Sequence, residues 1–407
     1  MMLFVKLAWR NLFRNKRRTI LAGLMIGLGL AAMITTDAVM KGTIDNMIAT
    51  ATSSFLGEGQ IHRDGFRKTF EVEQTIVNGP ALFDKLKKEP LIRRASPRTA
   101  SFGMITSPAN VQSVMLYGID PADEKELSKI DDLLVSGAYL ATADEAKILL
   151  GEKTADLLEV GLGDKIVVTV AQAHTGELSQ ELFRVGGIFR FGSRQMDGGM
   201  AFIPLKRSQE MLKLDGGLHE IAFSFHDNLK SEDTALPLWS ELSAGGNEAL
   251  SWTELVSELA MMRSMTDFSL YLVGIILFGI VAVGIVNTLF MSLYERMFEF
   301  GVMRAVGTRP RQAAQLMVME AGALALIAIA MGIVIAFIVN GLLMHYGIDY
   351  SGSEFVVTLR DPIYPVLTVT QFTLYPLLLF IFTCLVGLYP AIYAARLTPA
   401  KAMKRGL

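Results

Sequence analysis

One cysteine, Cys384, stands among 407 residues, and it falls inside an apolar run. A lone thiol builds neither a disulfide framework nor a thiolate metal cluster within one chain, and in that setting it reads as a small buried hydrophobe. Charge is scarce as well. Only 19% of residues are charged and the net charge is −2, so the chain has no global basic surface of the kind that binds nucleic acid. The five histidines, His62, His174, His219, His226 and His345, are scattered without ligand spacing, which argues against a metal site. Neither the phosphate-binding G-x-x-x-x-G-K-S/T loop nor the G-x-S-x-G nucleophile elbow occurs, and no internal repeat is visible. The chain alone therefore reads as non-catalytic, with no catalytic, cofactor-binding or metal-ligating residue to assign.

What is abundant is apolar. Hydrophobic residues make up 51% of the chain and its mean hydropathy is +0.39, above the range of soluble domains. A spanning helix needs about 20 mostly apolar residues. Four stretches supply them, at residues 19–41, 268–294, 313–344 and 372–395. The first follows a basic, amphipathic stretch at 1–18 that holds Lys6, Arg10, Arg14, Lys16, Arg17 and Arg18. No Ala-x-Ala cleavage site directly follows its apolar run, so it reads as a retained anchor whose start is cytoplasmic. The stretch at 295–312 holds Arg296, Arg304, Arg309 and Arg311, and the tail at 396–407 holds Arg396, Lys401, Lys404 and Arg405. The positive-inside rule puts both in the cytoplasm. The loop at 345–371 carries one arginine, Arg360, against Asp349, Glu354 and Asp361, and so reads as external.

The expected fold class is thus a membrane protein of four transmembrane α-helices, with a large mixed α/β domain at 42–267 inserted between the first and second spans. That insert, outside the cytoplasm by alternation, is long enough to bury its own core. Strand-like runs such as "VQSVMLYGI", "KIVVTVAQA", "LFRVGGIFRF", "MAFIPL" and "EIAFSF" alternate there with helix-like stretches such as "GPALFDKLKKEP", "DEAKILLGEKTADLLEV" and "PLKRSQEMLKL". Its last segment, "SWTELVSELAMMRSMTDF", is expected to run unbroken into the second span as a stalk.

Between the second and third spans lies "YERMFEFGVMRAVGTRPRQ", with six charges in nineteen residues. It reads as a short amphipathic helix, with Phe298, Val302 and Met303 or Val306 on one side and Glu295, Arg296, Glu299 and Arg304 on the other. Gly307 suits its left-handed cap, and Thr308 with Pro310 suits the start of the next helix. A mere turn needs only a few polar residues. A charged knob of this kind fits docking to a soluble partner, and with no nucleotide loop here, any ATP site belongs to another chain.

Three motifs carry a resemblance to a known family. "LAWRNLFRNKRRTILAGLMIGLGLA" is similar to the start of the MacB/FtsX-type ABC transporter permeases, and "ERMFEFGVMRAVGTRPRQ" resembles their cytoplasmic coupling helix. "YPAIYAARLTPAKAMK" resembles their closing segment. Within that family, "SVMLYGIDPADEKEL", "LLGEKTADLLEVGLGDKIVV" and "FRVGGIFRFG" are similar to the periplasmic domain of the lipoprotein-releasing permeases, LolC and LolE. The resemblance implies a bacterial inner-membrane, multi-pass permease paired with a second copy or a related permease and with two cytoplasmic ATPase subunits that hold the ATP and magnesium. It also implies that Glu295, Arg296, Glu299, Gly301, Arg304 and Gly307 form the coupling element, which passes ATPase motion to the periplasmic domain.

The spans themselves carry packing features. Gly23 and Gly27 form a G-x-x-x-G in the first, and Gly274, Gly279 and Gly284 recur in the second, where small residues suit dimer packing. Asp37 and Lys41 are spaced to pair on one helix face, and Asn287 reads as an interhelical hydrogen bond. No span shows the series of charges expected of an ion-coupled carrier. Met261, Met262, Met265 and Phe268 at the base of the stalk form a candidate apolar surface, either packed or lining an entry for acyl chains. The client expected from the resemblance is a lipid-anchored protein. The alternatives are FtsX-like signalling to a periplasmic partner and MacB-like tripartite export of small amphiphiles or peptides.

Overall fold

The computed structural model describes residues 9–11, 14–142, 145–192, 194–348 and 362–396. The charges that set the expected sidedness of the third loop and the tail (Asp349, Glu354, Arg360, Asp361, Lys401, Lys404 and Arg405) lie outside the described residues. The chain divides into two compact units, one of Met1–Ile44, Arg263–Asp349 and Pro362–Leu407, the other of Asp45–Met262 and Tyr350–Asp361.

The first unit is helical. Among the described residues four helices are long and apolar enough to cross a membrane: Lys16–Leu56, Ser257–Glu295, Pro310–Tyr346 and Val369–Arg396. The first is α-helical over Lys16–Ala51 and ends in one π-turn at Thr52–Leu56. Buried Ile26, Ile34, Ile285, Leu289, Leu316 and Ala321 build a core among these helices. In a bilayer such contacts gain little from the hydrophobic effect, so close packing of small residues has to hold them. Gly27 supplies it: a Cβ there would lie 2.8 Å from the Ala328 carbonyl oxygen and 3.0 Å from the Gly332 nitrogen. Gly23 likewise faces Met331 and Ile327. The G-x-x-x-G of the first span therefore packs on the third span of its own chain, not on a second copy, because Ala328 and Gly332 offer a matching small-residue surface. In the second span Gly274 faces Met33 and Gly284 faces Met25, whereas Gly279 has open space around it.

At the far end of the same helices Asp37 is buried, accepting from Lys41 Nζ at 3.1 Å and Gln371 Nε2 at 2.8 Å. The connection after the third span crosses here. Val366 N donates to the Ala38 carbonyl at 2.9 Å, and Gly42 makes room for the Tyr364 backbone, which a Cβ would meet at an impossible 2.1 Å. Asn287 departs from expectation: it is exposed and makes no hydrogen bond among the described residues.

The second unit is built on a mixed ten-stranded sheet. Its strands are β1 (Gly59–Arg63), β2 (Ile92–Thr106), β3 (Val111–Ile119), β4 (Leu134–Gly137), β5 (Lys147–Gly151), β6 (Lys165–Ala171), β7 (Leu178–Phe189), β8 (Met200–Pro204), β9 (Glu220–Phe225) and β10 (Asn247–Ser251). Six of them close on themselves, β2 pairing β3, β3 β8, β8 β5, β5 β7, β7 β6 and β6 β2. Alternate residues of these strands, Ile105, Leu116, Ile148, Val168, Phe183 and Ile203 among them, fill the ring with an apolar core. The long β2 then carries the sheet onward through β9 and β1 to β10, over a second core of Phe223, Phe225 and Trp239.

Where these halves meet, β2 buries an ionic centre. Arg98 is fully buried and forks onto Glu124 at 2.7 and 2.8 Å, reaches Glu220 at 2.5 Å and the Phe55 carbonyl at 2.6 Å, and stacks 3.8 Å over the Phe55 ring. Burial alone would weaken the guanidinium as a base, but the two glutamates more than offset it and hold the Arg98 pKa above its ordinary value. Phe55 belongs to the π-turn that ends the first long helix, so Arg98 caps that helix with a charge at its carbonyl end.

Two readings of the insert need correction. The run "DEAKILLGEKTADLLEV" splits into strand β5 and a helix at Glu152–Leu158. The stalk is also interrupted. Trp252–Leu255 is its own short helix, capped by Ser251 and Glu254, and Val256 breaks it at φ −129°, ψ 68° before the long helix starts at Ser257.

Candidate functional site

The stretch between the second and third spans forms a helix at Met297–Ala305. The long helix before it stops at Glu295 because Arg296 leaves helical geometry, at φ −111° and ψ 16°. Its other end is set by Gly307, whose φ of +104° is left-handed territory that a side chain disfavours. Thr308 N then bonds the Met303 carbonyl at 3.0 Å and Gly307 N the Arg304 carbonyl at 3.2 Å, a Schellman closure. Arg309 N donates to Gln312 Oε1 at 3.0 Å and Pro310 opens the third long helix. The local sequence thus dictates a short helix held between two fixed corners.

The orientation of this helix reverses the expected one. Met297, Phe300 and Gly301 are buried, with Phe300 in the helical core. Arg296 is buried beside them, its Nη1 2.6 Å from Glu320 Oε1 and its Nε 2.9 Å from Glu299 Oε2. Phe298, Val302 and Val306 form the outward ridge, 55%, 40% and 84% exposed. The charge is turned inward because its partners are there, and the apolar ridge four residues apart is left facing out. Arg304 is half-buried and donates to the Thr308 carbonyl at 3.2 Å, within the corner it helps to form.

The partners come from distant sequence. Arg14 Nη1 reaches Glu299 Oε1 at 2.6 Å, Arg18 Nη1 reaches Glu295 Oε2 at 2.9 Å, and Asn11 Nδ2 donates to Glu320 Oε1 at 2.7 Å. Arg18 also donates to the Thr288 carbonyl. The result is a continuous chain of charge-assisted bonds: Arg14 to Glu299 to Arg296 to Glu320 to Asn11. Burial alone would raise the Glu299 pKa, but Arg14 and Arg296 outweigh it and hold the carboxyl below its usual range. Burial works against the Arg296 charge, and Glu320 and Glu299 more than restore it. The segment before the first span thus clamps the helix after the second. Sequence reading missed Asn11, Arg14, Arg18 and Glu320 as members of this site, although Glu320 is the one charged residue in the apolar run at 313–344, which was a legible signal.

The methionine surface is the second candidate. Met265 and Phe268 are exposed, Phe268 to 69%, and the exposed face continues along the second span through Tyr271, Leu272 and Ile275. Met261 is exposed on the same helix and Met262 half-buried. Of the packing glycines, Gly23, Gly27 and Gly274 are used within the chain and Gly279 is open.

Comparison with known proteins gives two family matches. The FtsX-like permease C-terminal family matches residues 271–399, and the MacB-like periplasmic core domain family matches residues 19–235. The chain is 24% identical over 402 residues to the lipoprotein-releasing system transmembrane protein LolC of Xylella fastidiosa strain 9a5c, covering 93% of this chain and 92% of that protein. It is 22% identical over 350 residues to LolE of Haemophilus influenzae, covering 81% and 82%. It is also 26% identical over 415 residues to the macrolide export ATP-binding/permease protein MacB of Psychrobacter arcticus, covering 96% of this chain and 58% of that protein.

Proposed function

Because the chain belongs to the ABC transporter permeases that join a MacB-like periplasmic core domain to an FtsX-like membrane region, we propose that it works as a lipoprotein-releasing permease driven by a separate ATPase. The protein is a multi-pass membrane permease of the LolC, LolE and MacB type. The ridge of Phe298, Val302 and Val306 then seats in a cytoplasmic ATPase subunit that carries the ATP and magnesium. The clamp of Arg14, Glu299, Arg296 and Glu320 fixes that ridge to the first and third spans, so displacement of the ridge is carried into the helices.

One observation carries the lipid-anchored client: the exposed apolar strip at Met265, Phe268, Tyr271, Leu272 and Ile275. Placed across from the first span of a second permease copy or a related permease, it gives acyl chains an apolar path out of the bilayer. Each acyl CH2 withdrawn from the bilayer costs about 0.8 kcal/mol, so a multiply acylated protein does not leave unaided and ATP-driven closure has to supply the work. Export of a small amphiphile or peptide is the second reading, supported by the 26% identity to MacB over nearly the whole chain.

A photo-crosslinking amino acid at Phe268, in the native complex in mild detergent, tests the choice. Capture of triacylated protein together with a co-purifying ATPase supports release of lipid-anchored proteins. Capture of no acylated protein, with an outer-membrane channel retained instead, moves the function to export. Purification with no ATPase overturns both readings.

A further inference from the structure

A groove of about 310 Å³ opens between the third and fourth long helices, lined by Trp9, Met319, Gly322, Leu326, Phe380 and Cys384. Its walls are apolar. Val318, at one end, lies eight residues past Pro310 and Leu326 sixteen, which places the groove between about 12 and 24 Å along the helix axis from the coupling-helix corner. That depth matches one acyl leaflet, and Trp9 among its lining residues is the residue type that settles at headgroup level.

Five basic residues and no acidic one occupy the nine positions that follow Trp9: Arg10, Arg14, Lys16, Arg17 and Arg18. Arg14 and Arg18 are committed to Glu299 and Glu295. Arg10, Lys16 and Arg17 are exposed and have no carboxylate partner among the described residues. An apolar seat one leaflet deep, lined by Trp9 and followed from the next residue by basic side chains without a carboxylate partner among the described residues, is complementary to a molecule with an anionic head and a hydrocarbon tail. We propose that this groove, together with the basic side chains of Arg10, Lys16 and Arg17 that follow Trp9 in sequence, forms a binding site for one anionic phospholipid. The inference needs only the membrane span assignment and does not rest on the client.

The site has a consequence for the clamp. Trp9 and Arg10 immediately precede Asn11, which donates to Glu320, and Arg14 holds Glu299 three residues further on. A lipid that fixes Trp9 and draws Arg10, Lys16 and Arg17 to one bilayer surface holds both clamp donors in place. Anionic lipid content then becomes an input to the coupling helix.

The full chain in nanodiscs of equal parts phosphatidylglycerol and phosphatidylethanolamine, extracted into mild detergent and weighed by native mass spectrometry, tests this. One retained phosphatidylglycerol per chain is expected, enriched at least about tenfold over phosphatidylethanolamine. The variant R10Q/K16Q/R17Q, checked for an unchanged elution profile, is expected to bring the two lipids near parity. Gly322→Leu, which fills the groove, is expected to abolish retention of both. Parity in the wild type, or enrichment that survives the triple substitution, overturns the proposal. Enrichment that survives Gly322→Leu shows headgroup attraction without a seat and overturns it too. The wild type alone gives an independent readout: retained phosphatidylglycerol falls as salt is raised, and indifference to salt refutes the headgroup contact.

Discussion

Arg296→Met is the sharpest test of the inward-facing charge. The substitution removes the guanidinium but leaves Glu320, 3% exposed, with the neutral Asn11 amide as its one remaining donor among the described residues. Removing one partner of a buried ion pair costs about 3–5 kcal/mol, because the remaining charge has lost its compensation. Replacing both partners by apolar groups of similar volume is close to neutral. The double variant R296M/E320M is therefore expected to recover most of that loss, with a coupling energy of about 2–4 kcal/mol in the cycle. The Arg14–Glu299 pair is a useful contrast, since both side chains are largely exposed and its removal should cost at most about 1 kcal/mol of stability. The assay is equilibrium unfolding of the full chain in mixed detergent micelles, followed by helicity. If R296M/E320M is as unstable as Arg296→Met, or less stable, the pair is not a compensated buried unit and the inward orientation of the helix is wrong.

Uncoupling is the expected result of E299Q/R304Q: in the assembled complex ATP hydrolysis persists while client release is lost, and full coupled release in that variant removes the coupling role from this helix. Gly27→Ala should destabilise the chain by about 1–3 kcal/mol, since its Cβ meets backbone on the third span. Gly279→Ala, with open space around it, should be neutral or stabilising by up to about 1 kcal/mol in the same unfolding assay. Acid should loosen the inserted domain. Burial pushes the His62 pKa from 6.5 down to about 3 and lowers that of His219, so as pH falls below about 6.5 the unfolded chain takes up protons that the fold refuses. Through His62, stability is then lost at up to about 1.4 kcal/mol per pH unit between about pH 6.5 and 3, His219 adds to the loss below about pH 6.5, and neither group affects stability above that pH. A pH series of denaturant melts monitored by tryptophan emission checks it, and His62→Gln should flatten the slope.

How legible the molecule was depends on how local each determinant is. Strands β3 and β9 coincide with the runs read from the sequence as strands, because apolar residues there lie in short segments bounded by turn residues. Strand β5 was absorbed into a helix because Ile148, Leu149 and Leu150 are consecutive and all buried, and a short continuous apolar run has no period to distinguish strand from helix. Its pairing with β7 and β8 decides the matter, and that information lies outside the segment. The helix at Met297–Ala305 follows the same logic. Its ends were readable from Gly307 and Pro310, which act within one turn. Its facing was not, because amphipathic reasoning assumes that apolar residues go in and charges go out. That assumption holds only where no strong ion pair is within reach of the charged face. Here Arg296 finds Glu320 in the third span, and that buried pair offsets desolvation on the inner face, while Glu299 adds an exposed bond to Arg14 ahead of the first span. Nothing comparable competes for Phe298, Val302 and Val306, whose exposure would be a liability on a protein that worked alone. With a buried ion pair turning the charge inward, the ridge left outward has the apolar character that the proposed seat in an ATPase subunit requires.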